Sequence, residues 1–269
     1  MNRNFFRTPI GYLLITIIIV WVILAILFGI FDLNISIRVV DESSLWGEFG
    51  AEYGEPPGYG LIAIGLAVLI GGYIKDLKKQ KIPGYLTIIS GIIYLIIGVM
   101  GEDRTDILSG ICLIIPIAVF IGFTWNKDWS KYRAISAIIS ILAILNPLLF
   151  VQLTKLFFGR VRFRDLIPDF SNFTPWYLPQ GITGNYSFPS GHAAMGFMFL
   201  PLLILVKDLK WTDYRKIIIF ILVLGWGFFV GLSRIVIGAH YASDVLFSTG
   251  IAAVVTILLY KRYYVNKES

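Results

Sequence analysis

The chain has 269 residues, 57% of them hydrophobic and only 15% charged, with a mean hydropathy of +0.78. An ordinary soluble domain carries roughly 25% charged residues, so this composition excludes a water-soluble globular protein and places the chain in a bilayer. A net charge of +6 here reflects basic loops at a membrane rather than affinity for nucleic acid, and the single cysteine, Cys112, excludes both an intramolecular disulfide and a cysteine-rich metal site.

Apolar stretches able to cross the membrane, which takes about 17 to 25 helical residues, run over residues 10–31, 59–74, 84–100, 107–123 and 134–154. Three shorter ones follow at 193–206, 217–232 and 242–260. The expected fold is all-α: a polytopic helical membrane protein with about eight transmembrane helices. The first stretch exceeds the roughly 7 to 15 apolar residues of a secretory signal and is expected to stay as a helix. No linker or internal repeat divides the chain, so residues 1–269 read as one membrane domain, with 1–74 as an amino-terminal helical hairpin and 84–260 as the remainder.

With the amino terminus inside, residues 1–9, 75–83, 124–133, 207–216 and 261–269 are cytoplasmic and hold 16 of the 23 Lys and Arg. Basic residues accumulate on that side, so both termini are expected to be cytoplasmic. Five of the other seven, Lys155, Arg160, Arg162, Arg164 and Arg234, gather in two outer places, while residues 32–58 form an acidic outer loop. Outer-face cations against the general bias call for a local reason, such as an anionic ligand.

The only two histidines, His192 and His240, fall at outer helix ends beside those cations. Four residues after His240 comes Asp244. On a shared helix this spacing lets the carboxylate take the Nδ1 proton, leaving Nε2 as a nucleophile and stabilising positive charge on the ring during attack; a helix-capping pair is the plainer reading. Ahead of His192 stands Pro189-Ser190-Gly191, which opens a crossing and places a hydroxyl and unpaired N–H groups where an anion can bind, though it also suits any loop entering a helix. Lys155 and Arg162, seven residues apart, close the fifth crossing. Arg160 and Arg164 read as side chains reaching toward headgroups.

Lys155 with Arg162, then Pro189-Ser190-Gly191-His192, then Ser233-Arg234 with His240 and Asp244, resembles the three-part signature of the type 2 phosphatidic acid phosphatase superfamily. The resemblance spans residues 155–244, with motifs at 155–162, 189–192 and 233–244. It implies a six-helix catalytic core over 84–260, with the first two helices as an addition of open role. It further implies hydrolysis of a phosphomonoester or pyrophosphate of a lipid, such as a polyprenyl pyrophosphate, phosphatidic acid or phosphatidylglycerophosphate, with neither metal nor other cofactor. His240 would attack phosphorus, His192 would protonate the leaving oxygen, and Asp244 would orient His240. Lys155, Arg162, Arg234, Ser190 and Gly191 would hold the phosphate. In the family a proline usually follows the arginine of the first motif; Phe163 stands there instead, which leaves Arg160 and Arg164 as alternatives to Arg162.

The expected partners are the lipid substrate and membrane lipids, with no nucleic acid and no obligate protein. The expected place is a multi-pass position in a cell membrane, prokaryotic by its Ile and Lys content, with the site on the non-cytoplasmic face. The aromatic residues interleaved between 157 and 188 suit an interfacial loop that admits a headgroup. A phosphotransferase on the same histidine, a vanadium haloperoxidase, and an anion transporter or channel are the competing readings.

Overall fold

A computed structural model describes residues 5–266. Arg3 and Lys267, both counted in the charge bias, and the two chain ends expected in the cytoplasm lie outside the described residues. Among the described residues the elements are all helical. Seven helices are long and apolar enough to cross a membrane, and the shorter apolar helix Gly191–Val206 stands where the sixth crossing was expected.

That helix is short in residues but not in reach. Its first turns, α8 (Gly191–Gly196), are α-helical, and the 3₁₀ segment Phe197–Val206 contains Pro201, which has no N–H to continue an α ladder. A 3₁₀ helix rises about 2.0 Å per residue against 1.5 Å in an α-helix, so the whole extends about 29 Å, close to the roughly 30 Å of the hydrocarbon layer.

α1 (Pro9–Val39) begins on Thr8, whose hydroxyl accepts the N–H of Gly11, with Pro9 at the first helical position. It continues beyond Phe31, so Asp32 lies inside a helix rather than at the start of a loop. The segment expected as an acidic outer loop is partly helical: α2 (Leu45–Tyr53) packs on α9 (Tyr214–Val236), and Pro56-Pro57 open α3 (Pro56–Gly71) directly behind Glu55. α2 sits low against α9 because its inward positions are glycines. A Cβ at Gly50 would lie 2.4 Å from the Ser233 side chain, and one at Gly47 would lie 2.7 Å from Ile237.

α4 (Ile82–Gly101) and α5 (Arg104–Phe123) form a hairpin that packs on itself and on α3. α6 (Arg133–Ala143) runs into a π-helical stretch, Ile144–Val151, where Pro147 again interrupts the regular ladder, and then into α7 (Gln152–Phe158). α9 (Tyr214–Val236) and α10 (Ala242–Tyr260) complete the bundle. Its core lies where α3, α6 and α8 meet, with Leu61, Ile138, Ile139, Leu142, Met195 and Met198 buried against one another. α1 packs on α10, where Gly250 admits the Trp21 ring. The first two spanning helices, whose role the motifs leave open, are therefore packed into the bundle that carries the motifs.

Candidate active site

The site forms where four chain segments end together. α7 stops at Gly159, which adopts a left-handed φ of +53° and lies so close to the Gly181 carbonyl that a Cβ there would be 2.3 Å from its oxygen. The chain turns inward at once, and the Arg160 carbonyl accepts the N–H of Ser187, which brings the start and end of the long loop together.

α9 ends at Val236, and a second left-handed glycine, Gly238 with φ +65°, folds the chain back so that the N–H groups of Ala239 and His240 both donate to the Arg234 carbonyl. His240 thus precedes the N-cap residue of α10, Tyr241, and does not share a helix with Asp244 as its spacing suggested. The two still meet, because Asp244 reaches back over the helix start and accepts the Tyr241 N–H at 3.0 Å. His240 Nδ1 lies 3.4 Å from Asp244 Oδ2, within ion-pair range and long for a hydrogen bond.

His240 is only 2% exposed. Burial lowers its pKa to about 3; Asp244 opposes this, while the positive potential of Arg234 and Lys155 adds to it. Near neutral pH the imidazole is uncharged and its lone pair is available.

Asp244 is held more firmly than the sequence foretold. Its Oδ1 accepts from Arg160 at 2.6 Å, and its Oδ2 accepts from the Ser187 hydroxyl at 2.6 Å as well as from Tyr241. Arg160, 1% exposed, also donates to Asp32 Oδ2 on α1 at 3.0 Å, to the Ser243 hydroxyl at 2.8 Å and to the Thr174 carbonyl at 2.8 Å, and its guanidinium lies 3.9 Å from the centre of the Tyr241 ring. Ser243 donates both its N–H and its hydroxyl to Asp32. Arg160 is therefore neither a headgroup-seeking side chain nor a substitute for Arg162, since its nitrogens are committed inside the protein.

Arg162 and Arg234 are in the opposite condition. The Nε atoms of both are buried with no hydrogen-bond partner among the described residues. They are near enough to repel each other, and each also repels Lys155. Glu55 offsets part of this repulsion, and an anion between the cations would offset more of it. Arg164 is exposed and lines a surface hollow with Glu42, Glu48 and Glu52.

Ser190 is tied into the loop at three points. Its N–H donates to the Asp244 carbonyl, its hydroxyl accepts from Ala193, and its carbonyl accepts from the Ser248 hydroxyl. The fixed Ser190 aims Gly191 at the cations: a Cβ at Gly191 would lie 3.6 Å from Lys155 Nζ and 3.7 Å from Glu55 Oε1. Being glycine, it leaves that space open, beside first-turn N–H groups that no intrahelical acceptor can reach. His192 turns toward α2 and α3, with Nδ1 2.8 Å from Glu55 Oε1 and Nε2 2.9 Å from the Ala51 carbonyl.

The aromatic loop is tied to the bundle by its rings. Phe173 packs on Tyr241, and Trp176 packs on Phe188 and Phe247 while donating its indole N–H to the Ala25 carbonyl of α1. These rings fasten the loop to the bundle, and Tyr177 is left exposed.

Sequence reasoning missed Asp32, Glu55 and Arg160. Asp32 carried a usable signal, being an ionisable residue at the end of an apolar run that did not stop there, and such residues are functional by default. Glu55 looked like one acidic loop residue among several.

An all-helical membrane bundle with cations gathered around a carboxylate-paired histidine is an arrangement suited to a membrane phosphatase. Residues 135–268, which contain all three motifs, match the sequence model of the PAP2 superfamily. The chain belongs to this type 2 phosphatidic acid phosphatase superfamily and is an integral membrane lipid phosphatase. It is similar to phosphatidylglycerophosphatase B of Bacillus subtilis (strain 168), with 29% identity over 161 residues that cover 56% of this chain and 70% of the relative. No solved structure matches the chain.

Two outcomes follow from this geometry. In a His192→Gln variant His240 is the sole histidine, and its imidazole should remain neutral through pH 5 in ¹⁵N NMR because its depressed pKa keeps it deprotonated far below 6.5; titration near 6.5 would contradict the burial. Arg160→Met removes one partner from a buried ionic network and should cost about 3 to 5 kcal/mol, seen as a lower midpoint of unfolding in detergent; an unchanged midpoint would show the network to be dispensable.

Proposed function

We propose that the chain hydrolyses the phosphomonoester or pyrophosphate of a membrane lipid through a phosphohistidine on His240, without a metal and on the non-cytoplasmic face. The observation that carries this reading is the pair of unpartnered, buried guanidinium Nε atoms of Arg162 and Arg234 beside the neutral His240. A phosphoryl group supplies the anion that these cations lack.

In this mechanism Lys155, Arg162, Arg234 and the Gly191 end of the loop hold the nonbridging oxygens and neutralise charge as it builds in the transition state. His240 Nε2 attacks phosphorus, the bond to the leaving oxygen breaks, and His192 gives that oxygen a proton. Asp244 stabilises the ring as it becomes cationic. Water then attacks the phosphohistidine, His192 takes a proton from it, and inorganic phosphate leaves. The cations fill the charge-neutralising role that magnesium plays in kinases.

A lipid substrate is supported by a groove of about 380 Å³ running down from the site between α3 and the α6–π stretch. Tyr59, Glu55, Lys155 and Gly191 stand at its head, and Ile62, Leu66, Ile144, Pro147 and Leu148 line its length. A headgroup phosphate at the cations leaves the chains beside apolar walls. The name of the Bacillus relative favours phosphatidylglycerophosphate, with phosphatidic acid and polyprenyl pyrophosphate of the same chemistry. Placement on the outer face rests on the distribution of Lys and Arg, since the motif end of the bundle is opposite the basic segments around 75–83, 124–133 and 207–216.

The test is phosphate release by purified protein in detergent with EDTA, from phosphatidylglycerophosphate, phosphatidic acid and undecaprenyl pyrophosphate, comparing wild type with His240→Ala. Release in EDTA from at least one lipid, falling by 10³-fold or more in the variant on the order expected for loss of a nucleophile, is the predicted result. Full activity in His240→Ala would refute the nucleophile, and dependence on an added acceptor would make the enzyme a phosphotransferase.

A further inference from the structure

The two histidines of the site each face a carboxylate, but the carboxylates come from different parts of the chain. Asp244 belongs to the third motif. Glu55 lies outside every motif, at the N-cap of α3.

The geometry around His192 is specific. Glu55 Oε1 lies 2.8 Å from Nδ1 on one edge of the ring, and the Ala51 carbonyl of α2 lies 2.9 Å from Nε2 on the other. Both neighbours are acceptors and neither can donate, so only a ring with a proton on each nitrogen satisfies both. Glu55 is itself positioned, since its Oε2 accepts from the Tyr59 hydroxyl at 2.9 Å. The charged groups facing this pair are Lys155 from α7 and Arg234 from α9, both attractive to the Glu55 carboxylate.

Asp244 and Glu55 therefore differ in what surrounds them. Asp244 is saturated by Arg160, Ser187 and the Tyr241 N–H, and His240 lies 3.4 Å away, where burial above all keeps it neutral. Glu55 is closer to its histidine and has one hydroxyl and no direct guanidinium contact among the described residues. The nucleophile needs a free lone pair; the acid needs a proton held in place.

We infer that Glu55 is the positioning residue of His192: by binding Nδ1–H it fixes the ring so that Nε2–H, resting on the Ala51 carbonyl, is the proton passed to the leaving oxygen. This rests on the phosphatase reading of the site. It gives α2 and α3, outside the matched segment 135–268, a direct part in the reaction. In the first step the Nε2–H bond breaks as the leaving oxygen gains the proton and the P–O bond opens, and Glu55 retains Nδ1–H. In the second step Nε2 recovers a proton from the attacking water.

The test compares wild type, Glu55→Gln, Glu55→Asp and His192→Ala in steady-state hydrolysis of the best lipid substrate, together with unfolding midpoints in detergent. Glu55→Gln keeps the side-chain size but weakens the hold on Nδ1–H, and kcat should fall by about 10²-fold, within the range of a lost acid-base catalyst, while KM changes less than about threefold. Glu55→Asp should recover part of kcat, and the midpoints should stay near wild type. A Glu55→Gln enzyme with wild-type kcat, or one changed in KM alone, would overturn the assignment while leaving the phosphatase reading intact. Inactive wild-type protein, or a fully active His192→Ala variant, would instead overturn the phosphatase reading and this inference with it.

Discussion

At the motif end of the bundle one guanidinium is shut away from water between two carboxylates. Arg160 leaves α7 through the left-handed Gly159 and inserts between Asp32 of α1 and Asp244 of α10. Charges this deeply buried are tolerated only when paired and fully hydrogen-bonded, and Ser187, Ser243, the Tyr241 N–H and the Thr174 carbonyl supply the remaining partners. The network joins the first helix, the loop between the first two motifs and the last helix at one point. The placement of His240 beside Asp244, of Ser190 on the Asp244 carbonyl, and of the aromatic loop against Tyr241 and Phe247 all depend on it.

Around that paired centre stands an unpaired one. Lys155, Arg162 and Arg234 converge with two buried Nε atoms that meet no acceptor among the described residues, and burial, helped by the potential of Arg234 and Lys155, keeps His240 neutral. A phosphoryl group, as proposed, would offset their mutual repulsion. In the proposed mechanism the same cations would bind the anion, and Arg234 and Lys155 add to the burial that keeps His240 deprotonated. Glu55 offsets part of their repulsion from the α3 side and holds His192.

Much of this was legible in the sequence because hydropathy and motif spacing are local. The helical segments followed from runs of apolar residues, and the meeting of Lys155, Arg162, Arg234, His192 and His240 followed from motif order. Arg160 was not legible: three arginines alternate in Arg160-Val161-Arg162-Phe163-Arg164, and only the turn at Gly159 and the Ser187 contact decide which one points inward. Asp32 and Glu55 were hidden because their partners, Arg160 and His192, stand more than a hundred residues away. His240 and Asp244 kept the proximity their spacing suggested by another route, the start of a helix in place of its face.

The central claim is that a buried, neutral His240 takes the phosphoryl group while cations replace a metal. Rapid acid-free quenching of the His192→Ala enzyme with a lipid pyrophosphate labelled in its terminal phosphate tests it most directly, because the phosphate leaving group departs without a proton from His192 while loss of the base should slow breakdown of the intermediate. The account predicts a stoichiometric phosphoenzyme, stable in base and labile in acid, with the label on the peptide that contains His240. No label under conditions where wild type turns over, or a label on another residue, would contradict it.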